Sequence, residues 1–156
     1  MEAERRYADF RVSGRTLSGR AIPYGEVSPD FAERFLPGAF GPELPTVPLN
    51  LQHDTTIELI PAGGLALTDG PRALEVRAEL PEGSAALALV RRGALTGFSV
   101  EFHAESERRE AGIRVIERAR LVGVALVDKP GYPGATAEVR ASAAHGAPTV
   151  FGRFWL

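Results

Sequence analysis

Residues 96–103, which read TGFSVEFH, alternate in polarity with a period of two and therefore predict a β-strand. Successive side chains of a strand point to opposite faces, so one face of this strand is apolar and the other is small or polar. The apolar face carries Phe98, Val100 and Phe102, and the other face carries Gly97, Ser99, Glu101 and His103. The pattern therefore predicts a strand with a serine, a glutamate and a histidine along one side.

Short β segments separated by turns make up most of the remaining chain. The other predicted strands cover residues 5–12, 16–22, 47–52, 65–68, 73–80, 113–118, 121–127 and 136–140. A helix is predicted over residues 85–92, because Ser84 can cap its start and Gly93 can end it in a left-handed conformation. A short helical turn is predicted within residues 31–40. Many short strands with one or two helices indicate a mainly β (α+β) barrel or sandwich.

The composition excludes several classes of protein. The chain has 156 residues, a formal net charge of −2, 44% hydrophobic residues and no cysteine. The charge argues against a nucleic-acid binder and against a polybasic membrane-binding surface. No apolar run approaches the roughly 20 residues that cross a bilayer, and residues 1–10 lack the apolar stretch of a signal peptide, so a cytoplasmic location is expected. The lack of cysteine excludes disulfides, a cysteine nucleophile and thiolate metal sites.

Ser99 and His53 are the candidate catalytic residues that remain. The sequence has no metal-ligand spacing, no phosphate-binding loop and nothing typical of a cofactor site, so no cofactor and no metal are predicted. A neutral imidazole can remove the proton of a serine hydroxyl as it attacks a carbonyl, and a third group must orient that imidazole. We expect His53 to end a strand, on the same face as Leu49 and Leu51. From the residues alone, the ordinary interpretation is that both are polar groups on a sheet surface.

Four segments of the chain carry motifs that occur together in a known protein family. The first comprises residues 18–24 (SGRAIPY) and 33–40 (ERFLPGAF). Residues 49–54 (LNLQHD) resemble a segment with a catalytic histidine, and residues 95–102 (LTGFSVEF) resemble a segment with a serine nucleophile. Residues 122–135 (VGVALVDKPGYPGA) resemble a closing motif. In this order the segments resemble the tailed-phage (caudovirus) prohead maturation serine protease family, and they cover most of the chain.

The resemblance implies a fold, an activity and a substrate. The implied fold is a closed β-barrel with a few flanking helices, similar to the herpesvirus assemblins, over residues 1–140. Residues 141–156 differ in composition, being rich in small residues with aromatic ones near the end, which indicates either a flexible tail or a segment that docks on the core or on a partner. The implied activity is a serine endopeptidase with Ser99 as nucleophile and His53 as general base. The implied substrates are scaffold and major-capsid-protein extensions and the protease itself, inside the procapsid in the host cytoplasm. Because herpesvirus assemblins act as dimers, a homodimer is expected by analogy, without nucleic-acid or membrane partners.

The third catalytic residue departs from the family pattern. The closing motif of the family usually has a glutamate where this chain has Gly123, and many relatives have a glycine where this chain has Glu101. Because Glu101 shares a strand face with Ser99, we hypothesise that the carboxylate lost from one strand is supplied by its neighbour. His103 and Glu117 are alternative third members. An ion pair between Glu101 and an arginine at the surface is the non-catalytic interpretation.

Substrate access and an oxyanion hole complete the expected site. The glycines and prolines of residues 129–134 permit close backbone approach, so their N–H groups are candidates for the oxyanion hole. Ser99 and His53 must lie on adjoining strands and be open to solvent if the chain is a protease. The alternative function is a non-catalytic capsid-assembly (scaffolding) factor that keeps the protease fold. Gly123 favours that alternative, whereas the presence of both Ser99 and His53 opposes it.

Overall fold

Two β-sheets and one helix form the part of the chain that the structure describes. The computed structural model describes residues 11–28 and 31–128. In chain order the elements are β1 (Arg11–Ser13), β2 (Thr16–Pro23), β3 (Glu33–Phe35), β4 (Leu49–Leu51), β5 (Asp54–Ile60), β6 (Ala66–Asp69), β7 (Ala73–Glu79), α1 (Ala85–Arg91), β8 (Gly97–Glu110) and β9 (Ile113–Val127). The described residues are therefore mainly β, as the sequence predicts.

Strand β9 organises the larger sheet. It pairs with β8 in a long antiparallel hairpin, and its other edge pairs in parallel with β3 and then with β4. Strand β5 pairs antiparallel with β4 and completes this sheet. The smaller sheet has the order β1-β2-β7-β6, and all its neighbours are antiparallel. Neither sheet closes on itself within the described residues, so the closed barrel stays a prediction.

The inner faces of the two sheets contribute to one hydrophobic core. Leu17 and Val76 of the smaller sheet and Phe98 and Phe102 of the larger sheet are each 2% exposed or less and belong to the same cluster. The ring of Phe102 meets Phe35 of β3 edge to face, with centroids 4.9 Å apart. Burial of each such side chain contributes roughly 1.5–3 kcal/mol. The residues of β8 that alternate with these phenylalanines therefore point away from the core.

The predictions for the helical segments are partly correct. Helix α1 lies where it is predicted, and Gly93 after its end has a φ of +80°. The side chain of Ser84 makes no capping hydrogen bond, so the predicted cap is wrong in this respect. The helical turn predicted within residues 31–40 is also wrong, because Glu33–Phe35 forms β3 against β9.

The predicted strand boundaries differ from the structure in several places. Residues 113–118 and 121–127, predicted as two strands, are one continuous strand β9. Strand β8 continues to Glu110, well past its predicted end. In this extension, ion pairs rather than apolar contacts connect β8 to β9. Strand β5 is missed because most of it is exposed. The predicted strand 136–140 and most of the strand 5–12 lie outside the described residues.

Candidate active site

The β8–β9 hairpin places Ser99 and Glu101 on the face that points away from the core. In its antiparallel register, Ser99 lies opposite Ala125, and Glu101 lies opposite Gly123. Residues that are directly opposite share one face of the sheet, with Cβ atoms about 4.5–5.5 Å apart. Because both partners on β9 are small, the space above that strand is open to a side chain that reaches in from the next element.

His53 lies in the turn between β4 and β5. Strand β4 ends at Leu51, which pairs with Asp54, and both residues between them have positive φ, +51° for Gln52 and +63° for His53. Positive φ at both central positions is the requirement of a type I′ turn, and side chains other than glycine adopt it at a cost of about 1–2 kcal/mol. The expectation that His53 continues the face of Leu49 and Leu51 is therefore wrong. The expectation that His53 and Ser99 lie on adjoining strands is wrong as well, because β9 lies between β4 and β8. The reversal of the chain redirects the imidazole toward β8.

Gln52 attaches this turn to β9. Its backbone N–H donates a hydrogen bond to the carbonyl of Leu126 at 3.0 Å, and its side-chain Oε1 accepts one from the backbone N–H of Asp128 at 3.2 Å. Strand β4 also pairs in parallel with β9 as far as Leu51 opposite Leu126. These contacts hold the turn against β9 and offset the backbone strain, so that His53 stands beside the outer face of the hairpin.

His53 contacts Ser99 through one ring nitrogen and Glu101 through the other. Its Nε2 lies 2.9 Å from Oγ of Ser99, and its Nδ1 lies 3.3 Å from Oε2 of Glu101. With the proton on Nδ1, the ring donates toward the carboxylate, and Nε2 accepts from the serine hydroxyl. A serine, an imidazole and a carboxylate connected in this order have the geometry of a catalytic triad.

Burial governs the charge of Glu101. Its side chain is 21% exposed, and loss of hydration raises the pKa of its carboxyl from 4.5 to about 7. Gly123 lies directly opposite, and a Cβ at that position would stand 3.3 Å from Oε1 of Glu101. The absence of a side chain at position 123 therefore leaves the space in which the carboxylate lies. The carboxylate is ionised above about pH 7 and neutral well below it.

A protein-family profile matches most of this chain. The profile is that of the caudovirus prohead serine protease, and the match covers residues 2–148. The chain belongs to this family. The predicted resemblance to prohead proteases is thereby confirmed, and membership supports a general role as a serine protease of capsid maturation. No curated protein and no solved structure matches the chain.

The alternative third members for a prohead protease have other surroundings. Glu117 accepts hydrogen bonds from Oγ of Ser106 at 2.8 Å and from Arg108 at 2.7 Å, and these bonds lower the pKa of its carboxyl. His103 lies opposite Arg120 in the strand register, and partial burial together with that arginine lowers the pKa of its ring. Glu117 therefore serves to join the two strands of the hairpin, and a positive charge lies near His103.

Ser99 is closed to solvent in this structure, against the expectation of an open site. Its exposed fraction is 0%, whereas the side chains of His53 and Glu101 are 7% and 21% exposed. Solvent therefore reaches the three side chains from the carboxylate end. For a prohead protease this geometry has a consequence, because nucleophilic attack needs the carbonyl carbon about 3–3.5 Å from the hydroxyl. A displacement at the serine must precede any cleavage.

A buried polar residue that sequence reasoning missed shares this face. Asn50 of β4 lies beside Ala125, which itself lies opposite Ser99, so the three residues form a row across neighbouring strands. Asn50 is 6% exposed. The signal that could have found it is the position of this asparagine between Leu49 and Leu51, because alternation sends it to the opposite face from Leu49.

Three further expectations for a prohead protease concern metals, membranes and the oxyanion hole. Within residues 11–28 and 31–128, no cluster of three or more His, Asp or Glu side chains could hold a metal ion. The helix in that part of the chain is too short to cross a membrane. The predicted oxyanion hole at residues 129–134 and the predicted tail at residues 141–156 both lie outside the described residues.

Proposed function

We propose that this chain is a serine endopeptidase that cleaves scaffold or capsid-protein extensions, and itself, during phage procapsid maturation. The observation that carries the proposal is the continuous contact from Ser99 through His53 to Glu101. Membership of a serine protease family gives this contact a chemical meaning. Ser99 is the proposed nucleophile, His53 the general base, and Glu101 the third member of the triad.

The proposed reaction has two halves that both use His53. In the first, Nε2 removes the proton of Ser99 as Oγ forms a bond to the carbonyl carbon of the scissile peptide. The imidazolium then gives that proton to the leaving amine, the C–N bond breaks, and an acyl-serine remains. In the second half, His53 removes a proton from water as its oxygen forms a bond to the acyl carbon, the bond between that carbon and Oγ of Ser99 breaks, His53 returns the proton to Oγ, and the new carboxylic acid end of the peptide leaves. Both halves require a neutral imidazole at the start.

The proposed role of Glu101 is to hold the proton on Nδ1 of His53 and to stabilise the imidazolium that forms. The contact of 3.3 Å between Oε2 and Nδ1 supports this role. Partial burial strengthens the interaction of the two charges, because water screens them less. The carboxylate comes from β8, opposite the glycine of β9, and so reaches the imidazole from the strand that also carries Ser99.

The assignment of Ser99 is tested with the Ser99→Ala variant of the full chain. We expect the unaltered chain to shorten itself during incubation, as measured by intact mass, and to react with a fluorophosphonate probe. The Ser99→Ala variant should do neither, while its unfolding midpoint changes little. Ser84→Ala is the matched control, because that hydroxyl makes no capping hydrogen bond and lies at the start of α1. Continued self-cleavage by Ser99→Ala would reject the assignment.

A second candidate function is favoured by the closed state of Ser99. A hydroxyl with 0% exposure fits a chain that keeps the protease fold and acts as a non-catalytic capsid-assembly factor. The two functions separate in one experiment. A chain that never reacts with fluorophosphonate, alone or with capsid protein, and yet binds capsid protein firmly is the assembly factor. Reaction at Ser99 once capsid protein is present identifies a protease that opens on its substrate.

Partners and location complete the proposal. The family implies a capsid protein as substrate, and cleavage inside the procapsid puts the chain in the host cytoplasm. The homodimer and the lack of nucleic-acid binding stay predictions. Sedimentation of the purified chain across a range of concentrations would measure the first, and its mobility with a labelled oligonucleotide would measure the second.

A further inference from the structure

A groove runs over the smaller sheet and contains two adjoining cavities. The first has a volume of about 540 Å³ and is lined by residues of β2, β6 and β7, among them Arg20, Glu75 and Arg77, and by Arg72 of the turn between β6 and β7. The second has a volume of about 550 Å³, and Arg20 and Arg72 line it as well. Because two arginines are common to both cavities, the two form one continuous groove, which we call the arginine groove.

The charge of the first cavity is predominantly positive. Three arginines line it against a single carboxylate, Glu75, although the whole chain has a net charge of −2. Arg72 and Arg77 are exposed, and their side chains form no ion pair or hydrogen bond with any residue in the described part of the chain. Elsewhere the arginines are commonly paired, as Arg114 is with two glutamates. Two guanidinium groups without a partner therefore lie together at one recess.

The second cavity has a different lining. Besides the two shared arginines, it is lined by Pro23, Pro37, Pro71 and Tyr24, and Glu26 supplies a carboxylate. The hydroxyl of Tyr24 donates a hydrogen bond to Asp69 at 2.5 Å, which holds the ring in place. One end of the arginine groove is thus cationic, and the other end is apolar and rigid.

The arginine groove and Ser99 belong to different sheets. Ser18 pairs with Arg77, and Arg20 pairs with Glu75, on the face of the smaller sheet that alternates with buried Leu17. Ser99 lies on the outer face of the larger sheet, and neither it nor His53 or Glu101 lines either cavity. The groove is therefore a site distinct from the candidate active site.

We propose that the arginine groove binds an extended acidic segment of a partner polypeptide. Guanidinium groups bind carboxylates with two parallel hydrogen bonds, which is the strongest pairing these side chains make. Because the two cavities adjoin, an extended segment can contact both ends of the groove. Proline or aromatic residues beside the acidic run would fill the apolar end. The proposal does not depend on the protease activity.

The test is fluorescence anisotropy of the full chain with a labelled decaglutamate peptide at low salt. We expect binding that weakens as salt rises, because exposed charges are screened. The double variant Arg72→Glu, Arg77→Glu should weaken binding by about tenfold or more, and Arg72→Gln, Arg77→Gln by a smaller factor. The control is Arg92→Glu, Arg118→Glu, which makes the same change of charge at exposed residues outside both cavities and should alter binding less than the groove variant.

The outcomes separate an acidic peptide from other anions. A single-stranded oligonucleotide is measured in parallel, and tighter binding to it than to decaglutamate, lost in the groove variant, would overturn the proposal in favour of a nucleic acid. Equal weakening by the groove and control variants would assign the binding to overall charge and overturn it as well. The absence of binding to both probes would also overturn the proposal. Thermal unfolding of every variant verifies that the fold is intact.

Discussion

Glu101→Gln should make the protein more stable at alkaline pH and much less active. Glutamine has the shape of the neutral acid and keeps an oxygen for Nδ1 of His53, so it removes the buried charge alone. The pKa of Glu101 is raised in the folded state from 4.5 to about 7 by loss of hydration. The folded state therefore holds the proton between pH 4.5 and 7, and the unfolded state does not. The free-energy cost of burying the ionised carboxylate is therefore absent below pH 4.5 and complete above pH 7.

The expected gain in the free energy of unfolding follows from the shift in the pKa of Glu101. A displacement of about 2.5 pKa units corresponds to about 3.4 kcal/mol at 1.36 kcal/mol per unit. Because the side chain is 21% exposed, solvent screens part of this penalty, and about 2 kcal/mol is the expected gain at pH 8. At pH 4 the variant and its parent should be equally stable. The measurement is urea unfolding at pH 4 and pH 8, with both proteins in a Ser99→Ala background that cannot digest itself. If the dependence of the unfolding free energy on urea is the same for both proteins, the difference between their unfolding midpoints gives the difference in stability.

Glu105→Gln is the matched control, because Glu105 lies on the same strand and its side chain is 50% exposed. It should produce no comparable gain at pH 8. If Glu101→Gln is instead less stable than its parent at pH 8, an ion pair with His53 outweighs the cost of burial, and the reasoning is refuted. In the active background, the same substitution should reduce turnover by about 10²–10⁴-fold. It should also remove the rise of activity with pH that accompanies ionisation of Glu101 near pH 7.

Three other substitutions have definite expected outcomes. Gly123→Val should reduce turnover by about tenfold or more, since a Cβ there stands 3.3 Å from Oε1 of Glu101 and larger groups displace the carboxylate; single-turnover kinetics measure it. The exchange Glu101→Gly, Gly123→Glu should recover activity that Glu101→Gly alone loses, because the two positions are directly opposite; equal activity of the single and double variants would contradict this. Ala111→Asn should stabilise the β8–β9 turn by about 0.5–1 kcal/mol, because Ala111 has a φ of +53°; urea unfolding without a gain would count against it.

The sequence predicts the face of β8 correctly because that strand is buried on one side. Phe98 and Phe102 enter the core, so period-two alternation alone sends Ser99 and Glu101 outward. The same rule fails for His53, because alternation applies only while the chain stays extended. Two consecutive residues with positive φ end the strand, and no glycine or asparagine in that turn signals the reversal. Contact with β9 through Gln52 supplies the compensation, and such a tertiary contact has no local signature.

The cross-strand exchange of a carboxylate has a simple physical basis. Opposite residues of an antiparallel pair share a face with their Cβ atoms about 5 Å apart, and a glutamate side chain is long enough to span that gap. One imidazole beside the pair can therefore meet a carboxylate from either strand, provided that the opposite residue leaves room. Glu101 and Gly123 satisfy both conditions here. A comparison of single positions counts two departures from the family pattern, whereas the strand register makes both compatible with the hypothesis that one carboxylate is supplied from the neighbouring strand.

Closure of Ser99 and burial of Glu101 act on the same reaction in different ways. The hydroxyl, at 0% exposure, is withheld from any peptide until the structure opens. In the proposed triad, the carboxylate, with its pKa raised to about 7 by burial, would stabilise the imidazolium fully only above neutral pH. Opening of the site would hydrate Glu101 and lower its pKa toward 4.5, so the step that admits a substrate would also favour the charged form that the imidazolium needs. This coupling predicts that the pH profile of self-cleavage shifts to lower pH when capsid protein is added. An unchanged profile would show that opening of the site does not change the pKa of Glu101.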